Sequence, residues 1–229
     1  MIATLPVSTG PVYVFLAIDH GAQFISNSAR MGVVAVVATV AFVATHAFVA
    51  QRHGTFLSWL AATAAWWTVA ALLQLREWTL LEGGALFAVC FAVAIRGLAR
   101  FVVEVKAPPL PRVRFDLALR SALVAFVVIA TTVASNVLGP SATGTLATYP
   151  VVFTSLVLIL QPRCGGPFTA SLLANSLKGL VGFGIALGVI HVAAAHMNSA
   201  WAQSIALAVA VAWNYGLFLL RKNRDRPRF

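Results

Sequence analysis

Residues 139–188 decide the fold of this chain, and they read GPSATGTLATYPVVFTSLVLILQPRCGGPFTASLLANSLKGLVGFGIALG. Two apolar runs lie in this stretch, joined by a short QPRCGG segment. Pro150 lies inside the first run, and Lys178 lies near the middle of the second. A proline removes a backbone donor and a lysine carries a charge, so both need compensating partners in hydrocarbon. We therefore expect the remaining helices to pack around this hairpin.

The composition excludes an ordinary soluble domain. Of the 229 residues, 60% are hydrophobic and 10% are charged, with a mean hydropathy of +0.90, whereas about a quarter of a soluble domain is charged. Most of the exterior must therefore face the lipid bilayer. The formal net charge is +10, but its lysines and arginines lie between and after apolar runs, where membrane topology places them. We predict neither a nucleic-acid partner nor, from the spacing of the two cysteines, a metal or other cofactor.

The apolar runs predict an all-α, multi-pass membrane protein with eight helices. A lone chain in lipid has to satisfy its own backbone hydrogen bonds, which favours helices. The first run is short for about 30 Å of hydrocarbon, so a re-entrant or interfacial segment followed by seven crossings stays an alternative. The eight runs are residues 12–25, 32–50, 55–75, 79–97, 117–138, 144–160, 167–192 and 200–220.

The charged residues divide the chain into four parts. Residues 1–97 hold the first four runs, residues 98–116 form a basic, proline-rich linker, residues 117–220 hold the last four runs, and residues 221–229 form a basic tail. Lysine and arginine concentrate on the cytoplasmic side of membranes. The eight-helix chain is therefore predicted to lie in a bacterial inner membrane with both termini in the cytoplasm.

A weak internal repeat predicts that the two halves are related. A shift of 112 positions aligns Gly32 with Gly144 and Gly54 with Gly166. Roughly one position in five matches, against about one in ten expected from this composition. Four helices in each half would form a parallel duplication, which is one of the plans of membrane transporters.

The second half also carries a short motif. Near the start of its second helix stands GTLATYP, residues 144–150, followed by a short basic turn and two further apolar runs. In these features it resembles the small bacterial four-helix membrane proteins of the GlpM type, and the whole chain resembles a tandem duplication of them. The resemblance implies a four-plus-four helix architecture. It implies no particular reaction or ligand.

Lys178 is the first candidate for a functional residue. It stands about 11 residues, or roughly 16 Å, along its expected helix. There an ammonium group costs at least about 2.5 kcal/mol and usually faces a bundle interior or a wet cavity. Ser171 and Asn175 recur with it at helical spacing and form one polar stripe. We expect an anion-attracting or proton-linked lysine; the alternative is a structural lysine that is paired or that reaches the interface.

Pro150, Tyr149 and Asp19 complete the predicted site. The ring of Pro150 opposes the carbonyl of Leu146, which predicts a kink that either lines a cavity or serves packing alone. Tyr149 is close enough to help to satisfy the freed backbone group. Asp19 is the natural counter-ion for Lys178 if the first run crosses the membrane, and a solvated residue if it does not.

Two functions fit this pattern. The first is a transporter-like protein that moves a small polar or anionic solute, with Lys178, Asn175 and the Pro150 kink at its site. The second is a non-transporting accessory or anchoring component of the cell envelope, acting as a homo-oligomer or with another membrane protein. An enzyme is not predicted, because no P-loop, G-x-S-x-G elbow or H-E-x-x-H motif is present. A water-accessible cavity reaching Lys178 would favour transport, and a dry core would favour the accessory role.

Overall fold

The computed structural model describes residues 9–102 and 114–224, which are helical with short connections. The helices are α1 (Thr9–Val49), α2 (Thr55–Gln74), α3 (Leu80–Gly97), α4 (Arg114–Ser135), α5 (Pro140–Ala147), α6 (Val151–Cys164), α7 (Gly166–Ala194) and α8 (Ser199–Arg224), with a 3-10 turn at Ala99–Phe101. Together α5 and α6 make one membrane-crossing length. The described residues thus contain seven stretches long and apolar enough to cross a membrane. The all-α class is confirmed, and the stretches are compatible with a multi-pass membrane protein.

Helix α1 accounts for the difference between eight runs and seven stretches. Its 41 residues would reach about 62 Å if straight, roughly twice the hydrocarbon thickness. Gly21 interrupts it with φ 80° and ψ −176°, a conformation that is essentially confined to glycine. The Tyr13 hydroxyl consequently lies 3.2 Å from the point where a Cβ on Gly32 would stand. The first limb of α1 (residues 9–20) therefore folds back against the second limb (residues 22–49).

This folding corrects the expected start of the bundle. Residues 12–25 and 32–50 were predicted as two separate spans, whereas the structure has two helical limbs that meet at Gly21, inside the first predicted span. Arg30 lies half-buried within the second limb rather than in a loop. The chain makes its turn at Gly21, ahead of the predicted loop, because only that residue adopts the required backbone conformation. The re-entrant first segment and the first crossing both stay predictions.

The other divisions of the chain stay predictions. The linker predicted at residues 98–116 falls largely on residues 103–113, and most of the predicted tail, residues 225–229, follows the last described position. Both of these ranges lie outside the described residues. The four-plus-four repeat, the bacterial inner membrane and the side that each terminus faces likewise stay predictions.

One end of the bundle, here called the Gly21 end, contains the turn of α1 at Gly21. It also contains the α2–α3, α4–α5 and α7–α8 connections. His20 Nε2 lies 2.8 Å from the hydroxyl of Ser135, the last residue of α4. The Ser26 hydroxyl donates to the carbonyl of His191, near the end of α7, at 2.8 Å. Both contacts tie α1 to the ends of other helices.

The opposite end, here called the Gly165 end, holds the α1–α2 and α6–α7 connections. Gly165 turns the chain with φ 82°. Arg163 in α6 forms a bidentate ion pair with Asp116 in α4, with N–O distances of 2.6 and 2.7 Å. The pair places the start of α4 beside the end of α6.

The α5–α6 stretch lies at the centre of the bundle. In its most apolar 18-residue segment, 78% of the residues are buried, against 11% to 22% in the corresponding segments of α2, α3, α4 and α8. Its first part, α5, lies in close backbone contact with α1, and the first residue of α7 contacts the residue that follows α1. A Cβ on Gly144 would come within 2.1 Å of the Ser28 carbonyl oxygen, and a Cβ on Gly166 within 1.8 Å of the Ala50 carbonyl oxygen. Glycine is therefore required at both contact points.

The contact at Gly144 predicts a sharp stability difference between two glycine variants. Gly144→Ala forces α5 away from α1, and we expect a loss of about 1–3 kcal/mol or more. Gly188→Ala in α7 has open space around it and adds helix propensity, so it should be neutral or slightly stabilising. The midpoint of thermal unfolding in detergent tests both variants. Equal shifts would contradict the close contact.

The folded α1 predicts which introduced cysteines react from the same side of a membrane. In a background with Cys90 and Cys164 replaced by serine, we expect Asp19→Cys and Met197→Cys to react with an impermeant maleimide added to one side. His53→Cys should react only from the opposite side. A separate first crossing through residues 12–25 would instead leave Asp19→Cys unreactive within the bilayer.

Candidate functional site

The chain leaves the helical conformation in the interior of the bundle, between α5 and α6. The backbone angles are φ −96° and ψ 3° at Thr148, and φ −79° and ψ 64° at Pro150. The Val151 amide donates to the Tyr149 carbonyl at 2.8 Å, which makes an inverse γ-turn. Pro150 is buried. The kink expected at Pro150 is thus present as a complete break in the helix.

Local hydrogen bonds stabilise the break. The Leu146 carbonyl, which faces the proline position, accepts from the Tyr149 amide at 3.1 Å. The Thr148 hydroxyl donates to the Thr145 carbonyl at 2.7 Å. Backbone groups that a continuous helix would satisfy therefore find partners within the same few residues, as a break in hydrocarbon requires.

The first limb of α1 caps the break from a distant part of the chain. Thr9 Oγ1 donates to the Ala147 carbonyl, the last of α5, at 2.9 Å, and this bond is buried. The side chains of Tyr13 and Thr148 both approach Gly32, within 3.2 and 3.5 Å of its Cβ position. The limb thus lies directly against the residues where the helix is interrupted.

Two tryptophans of α2, Trp66 and Trp67, pack against another side of the break. The ring of Tyr149 meets Trp66 edge-on at 5.1 Å and stacks on Trp67 at 6.2 Å between ring centroids. The Tyr149 hydroxyl accepts from Thr154 Oγ1 at 3.2 Å. Trp66 is fully buried. The tryptophan pair, which in sequence suggests only bundle packing, therefore contacts a predicted site residue.

Three buried polar atoms around the break have no hydrogen-bond partner within residues 9–102 and 114–224. They are Tyr13 Oη, Ser28 Oγ and Trp66 Nε1. Tyr13 lies beside the Thr148 side chain, Ser28 contacts Gly144 of α5, and Trp66 contacts Tyr149. A buried polar group without a partner costs about 1–3 kcal/mol. Such groups are uncommon in folded proteins.

Lys178 lies on the exterior of the bundle. Its side chain is exposed, Asn175 is half-buried and Ser171 is buried. The Lys178 carbonyl accepts from Trp213 Nε1 of α8 at 2.9 Å, and the cavity described below is not lined by Lys178. The exposed Lys178 is therefore separated from Ser171 and Pro150, which are both buried.

Asp19 is exposed next to the fold in α1, at the Gly21 end. Lys178 stands 16 positions before the last residue of α7, about 24 Å along the helix from that end. No ion pair joins Asp19 and Lys178 in the described part of the chain. The expected pairing of Asp19 with Lys178 is therefore not seen in these residues.

A second polar cluster lies near the Gly165 end. His46 is fully buried, and its Nε2 lies 2.9 Å from Gln161 Oε1. The Gln161 amide donates to Ser58 Oγ at 3.3 Å and to the His53 carbonyl at 3.4 Å. The Gln161 oxygen can only accept, so His46 carries a proton on Nε2. The cluster links α1, α2 and α6 and holds His46 in the interior of the bundle.

Metal-ligating side chains do not cluster in the described residues: no three or more His, Cys, Asp or Glu residues come together there. No protein-family model, no curated protein and no solved structure matches this chain. The GlpM-type resemblance therefore stays a prediction.

The His46 cluster predicts non-additive effects on stability. Gln161→Leu leaves the Nε2 proton of His46 buried without an acceptor, and we expect a loss of about 1–3 kcal/mol. The double variant His46→Leu/Gln161→Leu should lose less than the sum of the single variants, because both polar groups are gone. The control Gln51→Leu, in an exposed turn, should change little. Thermal unfolding of the four proteins measures the coupling, and strict additivity would contradict it.

Proposed function

We propose that this protein is a transporter-like membrane protein that moves a small polar or anionic solute and holds it at the α5–α6 break. The observation that carries the proposal is the interruption of the most buried stretch in the bundle. Discontinuous helices near the membrane midplane form the substrate sites of several transporter folds, because they present backbone groups that a continuous helix uses internally.

The free polar atoms around the break support a solute that accepts hydrogen bonds. The Tyr13 and Ser28 hydroxyls can donate, and the indole N–H of Trp66 can only donate. The described carboxylates lie at the ends of the bundle, at Asp19, Glu77, Glu82 and Asp116. A site rich in donors and distant from carboxylates favours an anion or a neutral polar solute over a cation.

The first limb of α1 is the proposed gate. It covers the break through the bond from Thr9 to Ala147, and it joins the second limb only at Gly21. Glycine permits large changes of backbone angle. Rotation of the limb about Gly21 would break the bond from Thr9 to Ala147 and the bond from Gln203 to the Tyr13 carbonyl, and it would expose the break toward the Gly21 end.

The accessory role is the second candidate, and the exposure of Lys178 favours it. The side chain stands 12 positions after the start of α7, about 18 Å along the helix, on the surface of the bundle. An ammonium group at such depth usually pairs with another group. A partner protein that supplies a carboxylate to this surface would satisfy it without any transport.

Flux measurements on proteoliposomes test the proposal. The probes are chloride, inorganic phosphate, acetate and glycerol, each compared with protein-free liposomes. We expect flux of at least one probe in the wild type and a loss of about tenfold in Tyr13→Phe, the equivalent of one hydrogen bond to a charged solute. Pro150→Ala, which lets the helix close across the break, should also lower the flux, whereas the matched control Pro162→Ala should not.

The variant Lys178→Met tests whether the solute site lies at the break or at Lys178 on the surface of α7. Flux that is lost in Tyr13→Phe and kept in Lys178→Met assigns the site to the break. The reverse pattern assigns it to the surface of α7 and contradicts the proposal. Absence of flux for all four probes argues against these solutes and favours the accessory role.

A further inference from the structure

A cavity of about 720 Å³ lies between the first limb of α1, α7 and α8, in the half of the bundle nearer the Gly21 end. Its size falls in the range of pockets that hold small molecules, roughly 300–1,000 Å³. Representative lining residues are Val14 and Phe15 of the limb, Phe183 and Leu187 of α7, and Leu207 of α8.

Three of the polar side chains in the lining donate their hydrogen atoms within the protein. Thr9 donates to the Ala147 carbonyl, and Gln203 donates to the Tyr13 carbonyl at 3.1 Å. Ser204 donates to the Ala200 carbonyl of its own helix at 2.8 Å. Tyr13 also lines the cavity, but its hydroxyl is buried beside Gly32 of the second limb. A polar ligand would find none of the first three donors free, so the cavity offers mainly apolar contact.

The rim of the cavity faces the surroundings of the bundle. Val14, Phe15 and Leu207 are each about half exposed, at 46%, 47% and 53%. They stand on helices whose outer surfaces are apolar, where lipid chains surround the protein. An α-helix with side chains is about 10–12 Å across, so a second protein segment of that width does not fit so small a space, whereas a single hydrocarbon chain does.

We propose that this cavity is a binding site for one acyl chain of a phospholipid from the leaflet at the Gly21 end. The chain would fill the space between the first limb, α7 and α8. The cavity shares Thr9 and Tyr13 with the surroundings of the break, but the acyl-chain proposal is argued from its apolar lining and does not depend on the solute site.

Photolabelling of the full-length protein in nanodiscs tests the site. The probe is a phosphatidylcholine with a diazirine near the end of one acyl chain, added at trace level to unlabelled lipid. After irradiation and proteolysis, we expect adducts concentrated in residues 9–20 and 199–207. The yield should fall about tenfold in Ala206→Phe, because the ring occupies the space of the chain.

Controls keep the proposal falsifiable. Ala208→Phe, exposed on the same helix, should label as the wild type does. Ala206 is buried, so its replacement by Phe could also disturb packing. Ala200→Phe fills the rim of the cavity from an exposed position, so it should lower the yield of labelling without disturbing the interior. Equal labelling of the cavity and of the lipid-facing α4, or an unchanged yield in both filling variants, would overturn the site. Cavity labelling by a diazirine fatty acid but not by the phospholipid would also overturn the proposed source.

Discussion

The close backbone contacts of α1 with α5 and with the start of α7 are the constraint on which the structure depends. At Gly144 of α5 and Gly166 of α7, the chain approaches the α1 segment until no side-chain atom fits between them. Small residues allow such an approach in membranes, where packing and hydrogen bonds replace the hydrophobic effect between helices. Because the two contacts flank α6 in the chain, they hold the break between α5 and α6 close to α1, and the other helices pack around it.

The helices and the break were within reach of sequence reasoning, since both follow from local chemistry. Apolar runs of sufficient length predict helices, and a proline within such a run predicts an interruption at Pro150. The fold at Gly21 was harder to predict. Asp19, His20 and Gly21 mark a weak point in the first run, but nothing local shows that the helix resumes directly and continues to Val49. That outcome depends on contacts with Ala147, Ser135 and Gln203, which are distant in sequence.

The candidate site was predictable in part, for a similar reason. The break includes Tyr149 and Pro150, where the sequence predicted a kink, because a proline interrupts a helix at its own place in the chain. The direction of Lys178 depends instead on the rotation of α7, which is set by Gly182 against Trp213 and by Gly184 against Phe87. Nothing in the sequence indicated a functional role for Tyr13 or Trp66, because an aromatic residue in an apolar run normally indicates packing. Their polar atoms become informative only when their surroundings are known.

The folded first limb also bears on the order in which the chain assembles. A limb of 12 residues is too short to be retained by the bilayer alone. Its three long-range hydrogen bonds join Thr9 to Ala147, Tyr13 to Gln203 and His20 to Ser135, which are 138, 190 and 115 positions apart. Contacts of such sequence separation form late, because the intervening chain has to be made and inserted first. The limb is therefore synthesised before α8 but reaches its place only after α8 has entered the membrane.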